Sequence, residues 1–451
     1  MADTIGFVQR LKWDAASTTM YAYIGPDPAG TAAFTVGPRA GDSDVTVSGK
    51  RMAMRLLEHA QLRGVEVSVS HPDNGSGITA VKTLAPDVTS TPVQLDALEV
   101  TQSIQDLAHS IPLVAAKKTV VRLYLSNYAG TAVTVQGRLA LRRSPTDPLV
   151  SVSSSNNVTL NPADAGNIWT KRDDATKSLN FLLPDTHTVE GPLTIAGITL
   201  LDAGTGAAVT LGQERRPTVR FIASPPLRVR VIGIRYRMGT PPVTYVPSTL
   251  DFALLPSWLG RAYPAGQVIY SQTIVDATPT PPFSSGQINA QVAAIRALDV
   301  GSGTDARTHY YGFVADGGFF MRGSAAGIPQ TPDPSVVASG PTGSGTWGWD
   351  FDGSYGDWYG GHELGHTFGR YHPGFCGESQ NDLQNYPYPN GQLAGSDQGF
   401  TGFDVGDPAQ GLPMTARPGT TWHDVMTYCS TQWLSPYTYR GIRTRLIAEG
   451  S

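Results

Sequence analysis

His362-Glu363-Leu364-Gly365-His366-Thr367-Phe368-Gly369-Arg370-Tyr371-His372 is the stretch on which the reading of this 451-residue chain turns. On a helix, His362 and His366 project from one face, one turn apart, where two imidazole nitrogens can grip a single ion. Gly369 lets the backbone leave the helix in a conformation that a Cβ resists, so the chain can turn back and deliver His372 as a third ligand. Three neutral nitrogens on a tetrahedral zinc leave one position for water, which is acidified there to a pKa of about 7; that is the pattern of a catalytic rather than a structural site. Glu363 is then placed to take that water's proton and pass it to a leaving amine. The plain alternative is a surface helix with two chance histidines. With Gly 50 and His 9 in 451 residues, the added Gly369 and His372 tighten the match roughly 450-fold.

HExxHxxGxxH resembles the signature of the metzincin zinc endopeptidases, and the resemblance covers residues from about 226 onward. The family's second hallmark is a methionine turn beneath the metal, and His423-Asp424-Val425-Met426-Thr427-Tyr428-Cys429 follows His372 by about fifty residues. By resemblance, Met426 packs its thioether under the three histidines without binding zinc; ordinary core filling is the plainer role for a methionine. Tyr428 matches the tyrosine of the astacin and serralysin branches, which implies a phenol near the zinc that stabilises the tetrahedral intermediate, against the alternative of a half-buried tyrosine. Pro373 follows the third histidine as in serralysins, yet their glycine-rich calcium repeats are absent, and astacins carry Glu at that position. The family pairs an extended substrate with an edge strand ahead of the active helix, for which Phe319 to Ala326 is the candidate. Tyr386-Pro387-Tyr388-Pro389-Asn390-Gly391 falls where metzincins build a specificity-pocket wall, or simply packs a stiff loop.

A net charge of -4 and a pI near 6.1, without a basic run, argue against a nucleic-acid partner. No run of about 18 apolar residues exists, so no membrane span is expected. Met1-Ala2-Asp3-Thr4-Ile5-Gly6 has neither a basic nor an apolar segment of signal-peptide type; a removed leader, another export route and retention inside the cell all stay open. The fold implied by the resemblance brings Cys376 and Cys429 near the zinc, which implies a disulfide and favours a secreted, extracellular protein. Two free thiols, or a thiolate competing for zinc, are the rival readings.

The expected class is multidomain α+β, in three parts. Residues 1–93 read as a small N-terminal mixed α/β domain, with strands at Met20–Ile24, Ala33–Val36 and Val65–Val69, a helix capped by Ser48, and a linker over 85–92. Residues 94–224 carry short β-like runs separated by turns, as in an immunoglobulin-like β-sandwich. Residues 225–451 make up the metzincin-like zincin domain. Its expected strands are Leu227–Ile234, Val268–Tyr270 and Tyr310–Val314. Its expected helices are one capped by Ser248 with Pro256 as a candidate break, one along Ile288, Val292, Ile295 and Leu298, and a closing helix started by Ser435 and Pro436. The stretch 323–357 is expected to be loop. Asp350, Asp352 and Asp357 offer ligands to a calcium ion, as do Asp397, Asp404 and Asp407; solvated turn carboxylates are the plainer reading, since no spacing matches an EF-hand.

These features together point to a zinc-dependent endopeptidase acting on a protein or glycoprotein. One rival is a protease that needs O-linked sugar near the scissile bond, read by the sandwich. Another is an adhesion protein with a vestigial zinc site.

Overall fold

The structure, a computed structural model, describes residues 1–14, 18–26, 30–63, 66–84, 91–316, 320–344, 350–377, 382, 384–396 and 398–450. The chain is mixed α and β and divides into two compact units, Met1–Thr101 with Asp106–Pro112 and Thr119–Phe221, and Gln102–Gln105 with Leu113–Lys118 and Ile222–Ser451.

The first unit begins with β1 (Ala2–Asp14), β2 (Thr19–Gly25), β3 (Ala32–Val36), helix α1 (Asp44–Arg63), β4 (Glu66–His71) and β5 (Ala80–Thr83), the strands forming an antiparallel sheet ordered β3-β2-β1-β4-β5. Alternation sends Met20, Ala22, Ile24, Phe34, Val67 and Val69 to one face, where they pack with Leu57 and Ala60 of α1. The helix starts before Ser48 because Ser43 Oγ accepts the Thr46 N–H at 3.3 Å, so the cap lies one turn upstream. The expected linker lies mostly outside the described residues.

Two further, largely antiparallel sheets complete this unit. They are built from β6 (Val93–Thr101), β7 (Val120–Asn127), β8 (Val133–Arg142), β9 (Val150–Ser153), β10 (Leu179–Leu182), β11 (Gly191–Asp202) and β12 (Thr218–Ile222). One sheet contains the run β9-β8-β11-β12 and the other the run β10-β7-β6. Their buried faces meet: a Cβ on Gly137 of β8 would stand 2.7 Å from the Phe181 ring of β10.

The second unit is organised on a sheet whose core is parallel. β13 (Leu227–Met238) pairs in parallel with both β15 (Val268–Asp276) and β16 (His309–Ala315), and β16 pairs in parallel with β18 (Ala338–Thr342). β14 (Val243–Tyr245) and β17 (Ser324–Ala325) pair antiparallel at its margins, on β13 and β18. Ile232, Ile234, Tyr310 and Val314 pack with Ile288 and Val292 of α3 (Ser285–Gly301). On the other side, Gly233 and Phe313 face Phe252 of α2 (Thr249–Ala262), and α2 packs in turn on α4 (Gly356–Thr367).

Two expectations change here. Pro256 does not break α2: Ser248 and Asp251 form a reciprocal capping box, and Leu254, Leu255, Trp258 and Leu259 are buried, which outweighs the backbone bond that proline removes. The expected loop 323–357 contains β17 and β18, and β18 is buried at all five residues. Ala338-Ser339-Gly340-Pro341-Thr342 has no apolar pattern because it fits a crowded place, where a Cβ on Gly340 would meet the Tyr311 hydroxyl at 2.3 Å.

Candidate metal centre

Helix α4 has four glycines in its twelve residues and a weak intrinsic preference for helix. It forms because it is enclosed: of its residues, all but Tyr359 are buried. Glycine at 365 permits the close approach of the methionine, since a Cβ there would stand 2.4 Å from Met426 Sδ. The helix ends at Phe368, and Gly369 takes a φ of +73°, turning the chain toward His372. A Cβ on Gly369 would also stand 2.8 Å from the Pro329 carbonyl oxygen. Gly369→Ala is therefore expected to cost roughly 1–3 kcal/mol through left-handed backbone and collision. It should also weaken metal affinity by misplacing His372; thermal unfolding together with a chelator-competition titration measures both.

The three imidazoles meet at their Nε2 atoms. His362 Nε2 lies 3.1 Å and His366 Nε2 3.0 Å from His372 Nε2. His362 Nδ1 is 2.7 Å from the Val425 carbonyl and His366 Nδ1 is 2.7 Å from the Arg370 carbonyl. A carbonyl only accepts, so each Nδ1 carries the proton and each of those two Nε2 atoms offers a lone pair toward His372. Burial holds His362 well below the usual imidazole range and His366 down at about 4, so both rings are neutral. Converging lone pairs of this kind suit a cation. Tetrahedral zinc with bonds of about 2.0–2.1 Å needs its nitrogens ~3.3 Å apart, close to the separations here, and the donor set fits Zn²⁺.

Glu363 is 5 % exposed, and burial pushes its carboxyl up to about 8, opposed by a hydrogen bond from the Ala325 N–H of edge strand β17. Gly323 leaves it room: a Cβ there would stand 2.4 Å from Glu363 Oε1. His362, Glu363, Tyr359, Arg322, Thr427 and Tyr428 contribute to the wall of a cavity of about 430 Å³. The ring of Tyr428, 55 % exposed, is centred 4.9 Å from that of His372 and 5.9 Å from that of His362.

The turn bearing Met426 is held by a residue to which the sequence reading gave no role. Asp424, fully buried, accepts the Met426 N–H at 2.8 Å and the Ser435 N–H at 3.0 Å, and Val425 N–H donates to the Trp433 carbonyl at 2.6 Å. An aspartate two residues before the methionine, poised to bond backbone ahead of it, was the available signal. His309 was also passed over; its ring nitrogens lie 3.0 Å from Thr367 Oγ1 of α4 and 3.1 Å from Glu449 Oε2 of α5 (Pro436–Gly450). Cys376 and Cys429 are joined in a disulfide with Cα atoms 5.2 Å apart.

The other expected site residues separate into two groups. Asp350, Asp352 and Asp357 come together. Asp404 is instead ion-paired with Arg261 and with Arg417, Asp407 accepts from Ser257 Oγ at 2.6 Å, and Asp397 lies outside the described residues. Asp404 and Asp407 are thus held by protein partners in separate contacts. Tyr386 is buried in its own loop, donating to the Gln392 carbonyl at 2.6 Å, so it packs that loop. Within the expected edge strand, Phe319 lies outside the described residues, and the strand itself comprises Ser324–Ala325.

Among the described residues, no helix is long and apolar enough to cross a membrane. No protein-family model matches the chain, and no curated protein matches it. Among solved structures it is similar to metalloproteinase-II from Bacteroides fragilis, at 11% identity and a TM-score of 0.27, over 84% of this chain and 87% of that one. It is also similar to Bacteroides uniformis beta-glucuronidase 2 covalently bound to cyclophellitol-6-carboxylate aziridine, at 13% identity and a TM-score of 0.18, over 51% of this chain and 29% of that one. Likenesses this loose assign neither a fold nor an activity, and what the site can do rests on its own geometry.

Proposed function

We propose that the chain is a zinc-dependent endopeptidase of metzincin type, with residues 225–451 as the catalytic domain. Residues 1–93 and the immunoglobulin-like sandwich of 94–224 would be accessory domains. The observation that carries this reading is the convergence of three imidazole Nε2 atoms next to a cavity lined by His362 and by the buried Glu363 carboxylate. His362, His366 and His372 would hold the ion. Zinc bound there supplies Lewis acidity, which polarises a carbonyl and brings the pKa of water down to about 7.

The remaining steps fall to the chain. Glu363 accepts the proton that water loses as its oxygen bonds to the scissile carbonyl carbon, then delivers that proton to the amine nitrogen as the C–N bond breaks. A cation nearby favours the carboxylate form that the first transfer requires, and the Ala325 N–H fixes its orientation. Tyr428 donates its phenol hydrogen to the oxyanion from an exposed position on the cavity wall. Edge strand β17 pairs with an extended peptide through main-chain bonds, which orients the substrate without demanding a particular sequence. Met426 supports α4 from below without taking part in proton transfer. The disulfide supports an oxidising, extracellular setting.

Cleavage of a broad peptide library, mapped by mass spectrometry, tests the reading. Internal peptide bonds should be cut, a zinc chelator should stop cutting, and added zinc should restore it. Protein carrying one equivalent of zinc yet inert on the whole library would defeat it.

A further inference from the structure

Ahead of α4 runs Asp350-Phe351-Asp352-Gly353-Ser354-Tyr355-Gly356-Asp357. The loop folds back on itself: Ser354 N–H donates to Asp352 Oδ1 at 3.2 Å, Gly353 takes a φ of +103°, and Ser354 Oγ donates to Asp251 Oδ1 at 2.6 Å. One carboxylate oxygen from each of Asp350, Asp352 and Asp357 thereby comes within 4.8 Å of the other two.

Crowded acids are common on protein surfaces, and two further observations set this group apart. Asp357 is fully buried, and among the described residues its Oδ2, like the buried Oδ2 of Asp350, receives no hydrogen bond. An ionised oxygen in that state lacks the partner that buried polar groups require. The second observation is charge. Arg261 acts on all three aspartates, but it is already ion-paired with Asp404, as is Arg417. Among the described residues, the triad therefore has no counterion of its own. Burial pushes all three carboxyls up, Asp350 to about 7, and the charge of Asp352 adds to the rise at Asp350 and Asp357. Carboxylates so placed must share protons or share a cation.

We propose that Asp350, Asp352 and Asp357 form a calcium site, separate from the imidazole centre, that fastens this loop to the first turn of α4. The donors are all oxygen, which selects a hard ion, and a cluster of three carboxylates suits calcium, which takes about six to eight oxygens, whereas magnesium keeps several waters and is usually held by one or two carboxylates. The consequence reaches the candidate metal centre. α4 has no side-chain N-cap and many glycines, so its start is weakly fixed by sequence, and Asp357 stands one helical turn and a residue before His362. Calcium would tie that first turn down and so steady His362, Glu363 and His366.

Terbium luminescence on the zinc-loaded full chain tests the site without any assay of peptide cleavage. The Trp358 indole donates to Asp350, so it stands at the distance needed to sensitise a bound lanthanide. Excitation of tryptophan should give saturable terbium emission that calcium displaces and an equal concentration of magnesium does not. Millimolar calcium should raise the Tm by about 5 °C. Asp352→Asn, at a half-buried position, should lose both responses while keeping its far-UV circular dichroism and its equivalent of zinc. Asp350→Asn should behave the same way, which covers the case in which Asp357→Asn fails to fold. The proposal is overturned if emission in Asp352→Asn matches the parent, if magnesium competes as well as calcium, or if calcium leaves the parent Tm unchanged.

Discussion

Glu363→Gln is expected to retain one equivalent of zinc and to cleave peptides roughly 10³-fold more slowly in kcat than the parent. The separation of the two readouts follows from where the side chain sits. Glu363 lies next to His362 in sequence, yet the histidine is oriented by another group, the Val425 carbonyl at 2.7 Å, so the metal nitrogens do not depend on the carboxylate. Glutamine has the same size and keeps an oxygen for the Ala325 N–H, which leaves β17 in place. What it lacks is a site that accepts a proton and returns it. The loss should therefore fall on kcat, with KM little changed, because peptide pairing along the edge strand does not involve the carboxylate. Metal analysis separates the outcomes: zinc lost together with activity would assign Glu363 to holding the centre, whereas full activity with zinc retained would place the base elsewhere.

How far the sequence prefigures this centre depends on how local each contact is. Spacing alone makes His362 and His366 neighbours on a helix, and Gly369 signals the turn because its positive φ is what glycine tolerates. Helix α2 behind its Ser248 cap announces itself in the same local way, as does α3 through the spacing of Ile288 and Val292. Contacts made across the fold leave no such trace. β18 reads as a loop because its small residues answer to Tyr311 and α4 rather than to a period of two. The Val425 and Arg370 carbonyls that set the histidine tautomers are backbone groups, which any residue would supply. Gly323 and the Ala325 N–H, which bound Glu363, lie about forty residues before it, at and beside a two-residue strand too short to register as a pattern. β1 was missed as well: it pairs on both sides, but Thr4-Ile5-Gly6-Phe7 does not alternate cleanly.

Removing the Cys376–Cys429 bridge, through the paired variant Cys376→Ala with Cys429→Ala, is expected to cost about 4 kcal/mol by loop-closure entropy and to lower the Tm of the second unit by roughly 10 °C. The bridge closes a loop over a sequence separation of 53, long enough for the unfolded chain to regain much freedom when it is cut. Its position makes the effect more than a matter of chain entropy. Cys376 lies four residues after His372 and holds a φ of +65°, a backbone conformation that a residue with a Cβ resists, while Cys429 lies three residues after Met426. The crosslink therefore ties the segment delivering the third imidazole to the turn that supports α4. In its absence, nothing covalent keeps Cys376 in the left-handed region, and relaxation there should propagate back to His372. Zinc affinity should fall along with stability, and both should fall equally when the parent is reduced with a thiol. Differential scanning calorimetry and chelator competition, on the variant and on the reduced parent, give the comparison. A bridge-free protein that melts within a degree or so of the parent and binds zinc as tightly would mean that hydrogen bonds such as that from the Met426 N–H to Asp424, at 2.8 Å, hold the turn unaided.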